Sequence, residues 1–190
     1  MPAKKQISKE TIIETALNLV KERGMDSLNA REIAVRCNCS TQPIYLSFKN
    51  IGELKAELHK QIVETYYKYI RDEVASGKYP EYKGTGMGYI RFAKEQKEFF
   101  KHLFMRNRDG EKTIDEDSGF KDEVFKIMQS IGLYHDKAVT LHTHMWVWVH
   151  GIATMYATGY LNWEWDTVSA MLTDAFFGIK QRLDEKDGKQ

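Results

Sequence analysis

The sequence has little of what breaks or staples a chain. Three prolines in 190 residues mark few turns, and no stretch alternates apolar and polar residues long enough to make a sheet. The only two cysteines, Cys37 and Cys39, stand one residue apart. That is a poor disulfide framework and fits a reducing compartment; as a metal pair they offer too few ligands, and at a helix end they read as small packing residues. An excess of one charge is also lacking: 28 Lys and Arg face 27 Asp and Glu, a net charge of +1. A protein that coats phosphate everywhere is thereby excluded, so any nucleic-acid function must sit in a local patch. The opening MPAKKQISKE is polar, so no secretory leader is expected and a cytoplasmic location is.

No Asp, Glu, Lys or Arg falls between Ala138 and Asn162, a length that could cross a bilayer. The stretch carries His142, His144, His150 and several threonines, which would be costly in hydrocarbon, so it reads as a buried helix and no membrane partner is expected. A nucleophile elbow, a phosphate loop, an HExxH pair and paired carboxylates are all missing, which argues against an enzyme. His142 and His144 point about 200° apart on a helix, so neither a metal nor another cofactor is expected.

What remains is a helical pattern with 42% hydrophobic residues, enough for a core in one or two compact units. After Ser8, a candidate cap, Ile13, Ala16, Leu17 and Val20 recur at helical spacing, and Gly24 closes the helix behind Lys21 and Arg23. Asn29 opens a short second helix with Glu32 in capping-box position. Asn38 suits the left-handed residue of a tight turn. Ser40 is placed to cap a third helix from Thr41 to about Phe48, with Pro43 tolerated in its first turn.

This is helix-turn-helix spacing, and a braced third helix fits a major groove. Thr41, Gln42, Tyr45 and Ser47 would face DNA while Ile44 and Phe48 anchor the helix inside. The charge distribution agrees: residues 1–60 hold ten basic and seven acidic residues, a net +3, and the remaining 130 carry −2.

The segment SLNAREIAVRCNCSTQPIYLSFKNIGEL, Ser27 to Leu54, resembles the DNA-binding signature of the TetR/AcrR family of bacterial transcriptional regulators. The landmarks are REIA at Arg31–Ala34, the turn, Ile44-Tyr45, Phe48 and Glu53-Leu54. The resemblance implies that Tyr45 and Thr41 contact phosphate, that Gln42 faces the bases, and that Asn29 caps the second helix beside the DNA backbone. Asn38 stands where the family usually has glycine, and Pro43 where it more often has a small residue. Ile51 stands where a phosphate-binding lysine is common, which moves that expected contact to Lys49. The candidate DNA-binding set is therefore Asn29, Ser40, Thr41, Gln42, Tyr45, Ser47 and Lys49.

The resulting expectation is an all-α protein of about nine helices. Residues 1–50 would form the DNA-binding domain and residues 51–190 a ligand-sensing and dimerisation domain. A long helix is predicted from Ile51 to about Ser76, then, after a glycine-bearing stretch at Gly84, Gly86 and Gly88, helices over Tyr89–Gln96 and Phe99–Met105. A charged loop over Asn107–Gly119 and three further helices, from about Phe120, Asp136 and Asp166, complete the chain. Val168, Met171, Leu172, Ala175, Phe176 and Ile179 form an apolar stripe on the last helix, a candidate homodimer interface or alternatively monomer core. Tyr66, Phe92, Phe100, Phe104, Met128, His142, Met145, Trp146 and Tyr156 are candidates to line a cavity for a hydrophobic or aromatic ligand, though each alone suits ordinary core. The function read from these features is a ligand-responsive repressor that binds a palindromic DNA operator as a dimer. A helical protein-interaction adaptor with a degenerate DNA-binding head, favoured by Ile51, stays open as the alternative.

Overall fold

The computed structural model describes residues 7–107, 120–160 and 162–187, and among them the chain is all-helical, with nine α-helices and one 3₁₀ turn. These are α1 (Lys9–Arg23), the turn Met25–Ser27, α2 (Ala30–Arg36), α3 (Gln42–Ser47), α4 (Ile51–Ala75), α5 (Glu81–Glu95), α6 (Lys97–Phe104), α7 (Phe120–Ser130), α8 (His135–Thr158) and α9 (Trp165–Asp187). Most of the expected charged loop lies outside the described residues. The described residues belong to two compact units, Met1–Thr65 with Glu98–Arg106 and Tyr66–Lys97 with Asn107–Gln190. The division falls within α4, not at its start, and α6 joins the N-terminal unit.

In the first unit, α1 starts at Ser8, whose Oγ accepts the Thr11 N–H at 3.1 Å, and ends at Gly24 with φ of 79°. Its buried side is Ile12, Ala16, Leu19 and Val20; Ile13 and Leu17 from the expected stripe are only half-buried. Apolar residues flank both sides of Ala16, so periodicity alone left the facing one residue uncertain, and packing selected Ile12 and Leu19. Arg36 of α2 forks onto Glu22 of α1 at 3.0 and 2.6 Å, and the Cys37 thiol donates to Thr15 Oγ1 at 3.4 Å. From α4, Leu54, Leu58 and Ile62 are completely buried, as are Phe100 and Leu103 of α6.

In the second unit, α5 begins eight residues before the expected Tyr89, and Gly84, Gly86 and Gly88 are helical. Glycine weakens a helix in isolation by roughly 1 kcal/mol against alanine. Here it permits close approach: a Cβ on Gly88 would stand 2.7 Å from the Ile70 Cα, and one on Gly84 3.3 Å from the Val74 Cα. Beside this contact Glu73, only 5% exposed, pairs with Arg91 at 2.6 Å, so the buried carboxylate is compensated. Helix α5 packs extensively on α8, and α8 on α9. Helix α8 contains most of the chain's long uncharged stretch and ends at left-handed Gly159. Among the described residues no helix is long and apolar enough to cross a membrane.

Candidate nucleic-acid interface

The turn between α2 and α3 is built by its backbone. Asn38 has φ of 51°, and the Cys39 N–H reaches back to the Ala34 carbonyl at 2.9 Å while Cys37 N–H bonds Ile33. This six-to-one closure satisfies the last carbonyls of α2 and needs a residue that tolerates the left-handed region, which asparagine does. Burial pushes the Cys39 thiol above its ordinary pKa, which suits a packing residue better than a reactive one.

Asn29 caps α2, with Oδ1 accepting the Glu32 N–H at 2.9 Å and its amide donating to the Ser27 carbonyl at 3.1 Å. The Glu32 carboxylate turns to Arg23 at 3.0 Å and lies 3.8 Å from Arg36. Asn29 thus holds the start of α2 with both ends of its amide engaged.

Helix α3 starts differently from the expectation. It spans Gln42–Ser47 with Thr41 at the cap position in helical geometry, and neither Ser40 nor Thr41 makes a side-chain cap bond to it. The reason is chemical: Pro43 has no N–H to satisfy, and the next two donors, Ile44 and Tyr45, both go to the Thr41 carbonyl at 3.2 and 3.3 Å. The Ser40 and Thr41 hydroxyls are thereby spared a capping role.

The outward side of this short helix is well defined. Ile44 and Phe48 are 1% and 3% exposed and hold it down, whereas Gln42 is exposed, Tyr45 is 54% exposed and Leu46 is 80% exposed. Ser40 is exposed, and Thr41 and Ser47 are half-buried. Lys49 is exposed; its backbone N–H is taken by Glu53 Oε2 at 2.6 Å, and Asn50 Oδ1 accepts the Glu53 N–H at 2.9 Å. That reciprocal pair caps α4 and fixes the exit from α3. The sequence reading passed over Leu46 because apolar residues were assigned to the interior; its place two residues after Ile44 puts it near the opposite side of the helix.

The residues expected to line a cavity are divided between the two units. Phe100 and Phe104 lie in the first unit, rings 5.1 Å apart, while the other seven lie in the second. Of these, Tyr66, Phe92, Met128, Met145 and Tyr156 are buried core, His142 is half-buried, and Trp146 is 44% exposed. Tyr66 packs edge-on to Tyr89 at 5.7 Å and to Phe92 at 5.5 Å. The structure adds two polar pairs between α5 and α8: Tyr82 Oη lies 3.0 Å from His142 Nδ1, and Tyr89 Oη lies 2.8 Å from His150 Nδ1. Burial raises the Tyr82 hydroxyl pKa and lowers that of the His150 imidazole, favouring the neutral form of each. Among the described residues no three His, Cys, Asp or Glu side chains are grouped to hold a metal.

The apolar stripe on α9 is unevenly buried within the chain. Val168 and Leu172 are 0% and 2% exposed within their own chain and serve its core, while Phe176 is half-buried and packs on Tyr82 at 5.8 Å. Met171, Ala175 and Ile179 are half-buried. On these last two helices the exposed large apolar residues among those described are Val139, Trp146, Val147 and Trp148 of α8 and Phe177 of α9.

Two family models match the sequence: "Bacterial regulatory proteins, tetR family" over residues 12–58 and "Tetracyclin repressor-like, C-terminal domain" over residues 83–176. No curated protein matches it. Among eleven matching solved chains is a TetR-like transcriptional regulator from Rhodococcus sp. RHA1, with a TM-score of 0.64 and 13% identity over 88% of this chain and 92% of that one. At that identity the likeness is one of fold.

Proposed function

The chain belongs to the TetR family of bacterial regulatory proteins, whose members are DNA-binding transcriptional regulators, and on that premise we propose that it is a homodimeric repressor that leaves a palindromic operator when a small molecule binds. The observation that carries the reading is the outward side of α3, where Gln42 and Tyr45 project from a helix anchored by Ile44 and Phe48. An amide can read adenine through its N6 and N7 groups, and a tyrosine hydroxyl can donate to phosphate. Ser40, Thr41, Ser47 and Lys49 border that side and supply further phosphate contacts. Asn29 acts through the cap it gives α2.

Dimerisation is supported by the apolar residues exposed on α8 and α9, since a single chain gains nothing by keeping Val147 60% and Phe177 61% exposed. A two-fold dimer would present its recognition helices to half-sites about one DNA turn, or ~34 Å, apart. Ligand response is supported in the second unit by the Tyr89–His150 pair, whose tyrosine packs on Tyr66, and by the Tyr82–His142 pair, flanked by Phe176 and Phe125. Such surroundings suit an aromatic or apolar molecule that carries a hydrogen-bonding group. To empty a nearly full operator, that ligand must favour the released state by about 5.5 kcal/mol.

The test is a gel-shift titration with the duplex upstream of the protein's own gene. Retarded complexes that survive scrambled competitor support the reading; no retardation at low salt overturns it and turns attention to a protein-binding adaptor.

A further inference from the structure

The most exposed large hydrophobic residue on the described surface is Leu46, at 80%, and it sits on the six-residue helix α3. Its neighbours define what it faces. At 100° per residue, Leu46 lies about 40° from Gln42 around the helix, with Tyr45 about 60° on the other side, while Ile44 points nearly opposite. Burial agrees with that wheel, because Ile44 is 1% exposed and Gln42, Tyr45 and Leu46 are all exposed. An amide therefore occupies the centre of the outward arc, a phenol one edge and an isobutyl group the other. The isobutyl group adds nothing to the interior, so its contribution must come from what covers this arc.

Resting on the reading of α3 as the recognition helix, we propose that Leu46 reads thymine: its isobutyl group packs on the C5-methyl of a thymine next to, or one removed from, the base pair whose edge Gln42 takes. The spacing follows from geometry. Four residues advance about 6 Å along a helix, and stacked base pairs are about 3.4 Å apart, so a residue four further on reaches at most about two base pairs away. The chemistry is selective because, in the major groove, only thymine offers a methyl group; cytosine at that position presents an amino donor that an isobutyl group leaves unsatisfied. Leu46 thereby gives this helix an apolar reader beside a polar one, and the half-site it prefers carries an adenine and a thymine within two base pairs of each other.

The experiment uses the full chain and a library of random-sequence duplexes, from which bound members are selected and sequenced. Each thymine of a selected duplex is then replaced in turn by uracil, which removes the methyl and keeps the base-pairing edge. At one thymine per half-site the replacement should weaken the wild-type protein about fourfold, the effect of uncovering one methyl group. It should leave Leu46→Ala unchanged, because that variant has already lost the contact. Alanine is the best helix former, and circular dichroism confirms that the variant stays folded. If uracil is neutral at every thymine while the selected sequence still binds specifically, the thymine assignment is wrong and the regulator reading stands. Equal weakening of wild type and Leu46→Ala also overturns the assignment. If no sequence is enriched, the reading of α3 as a recognition helix fails and the assignment with it.

Discussion

Gly88 lies against Ile70 so closely that a methyl group on it would meet the Ile70 Cα at 2.7 Å and the Tyr69 carbonyl oxygen at 2.9 Å. Both obstacles belong to the backbone of α4, so no rotamer change relieves the clash. Gly88→Ala should cost about 1–3 kcal/mol despite the better helix propensity of alanine. The measurement is a urea titration, in which the midpoint falls with little change in slope.

Asn38 holds φ of 51° at the turn between α2 and α3. Asn38→Gly should be tolerated, whereas Asn38→Val forces a β-branched residue into the left-handed region and should cost about 1–2 kcal/mol. Thermal melts of the two variants should separate accordingly, with DNA affinity following the valine variant downward.

How much of this was legible in the sequence depends on how local the determinant is. The Asn29 cap, the Asn38 turn and the Ser8 and Gly24 boundaries were readable because each is settled by residues three or four apart. The start of α5 was not: Gly84, Gly86 and Gly88 read as a break, and only their contact with α4 explains why a helix keeps them. The α9 stripe was correctly seen as apolar, yet whether Val168 and Leu172 face the chain's own core or a partner is a tertiary question. Leu46 was missed for a related reason, since hydrophobicity suggests an interior position and says nothing about a surface that awaits a partner. Thr41 as the cap of α3 depends on Pro43 lacking a donor and on the Ile44 and Tyr45 N–H groups sharing the Thr41 carbonyl, which residue spacing alone does not disclose.

Tyr45 is 54% exposed beside buried Ile44, so removing its hydroxyl leaves the fold intact. Tyr45→Phe should keep the wild-type melting temperature and weaken operator binding about tenfold or more, the loss of one hydrogen bond to a charged phosphate. Fluorescence anisotropy with labelled duplex measures the affinity. An unchanged Kd would remove Tyr45 from the phosphate contacts.

Burial holds the His150 imidazole pKa below its ordinary 6.5, so the folded chain resists a proton that the unfolded chain accepts. The unfolded state binds more protons between 6.5 and the depressed value, and stability therefore rises with pH across that window. The contribution of His150 is complete above 6.5 and is lost progressively below it. Melting temperature should fall on acidification, and His150→Gln, which keeps an acceptor for the Tyr89 hydroxyl, should show a shallower fall.

Val147 on α8 is 60% exposed in the single chain, so a polar replacement costs the isolated fold little. In a dimer that covers it, Val147→Glu buries an unpaired charge, a penalty of about 3–5 kcal/mol that should raise the dimer dissociation constant by at least about a hundredfold. Analytical ultracentrifugation should find wild type as a dimer and the variant as a folded monomer. A monomeric wild type would contradict the dimer proposal.

The most direct measurement is the salt dependence of binding to the duplex upstream of the gene, read by anisotropy between about 50 and 200 mM salt against a scrambled control. With ten basic residues among the first 60, the affinity should fall linearly on logarithmic axes as salt rises, with the specific duplex bound more tightly than the control throughout. No binding at the lowest salt, or equal affinity for both duplexes, would contradict the assignment of this chain as an operator-binding repressor.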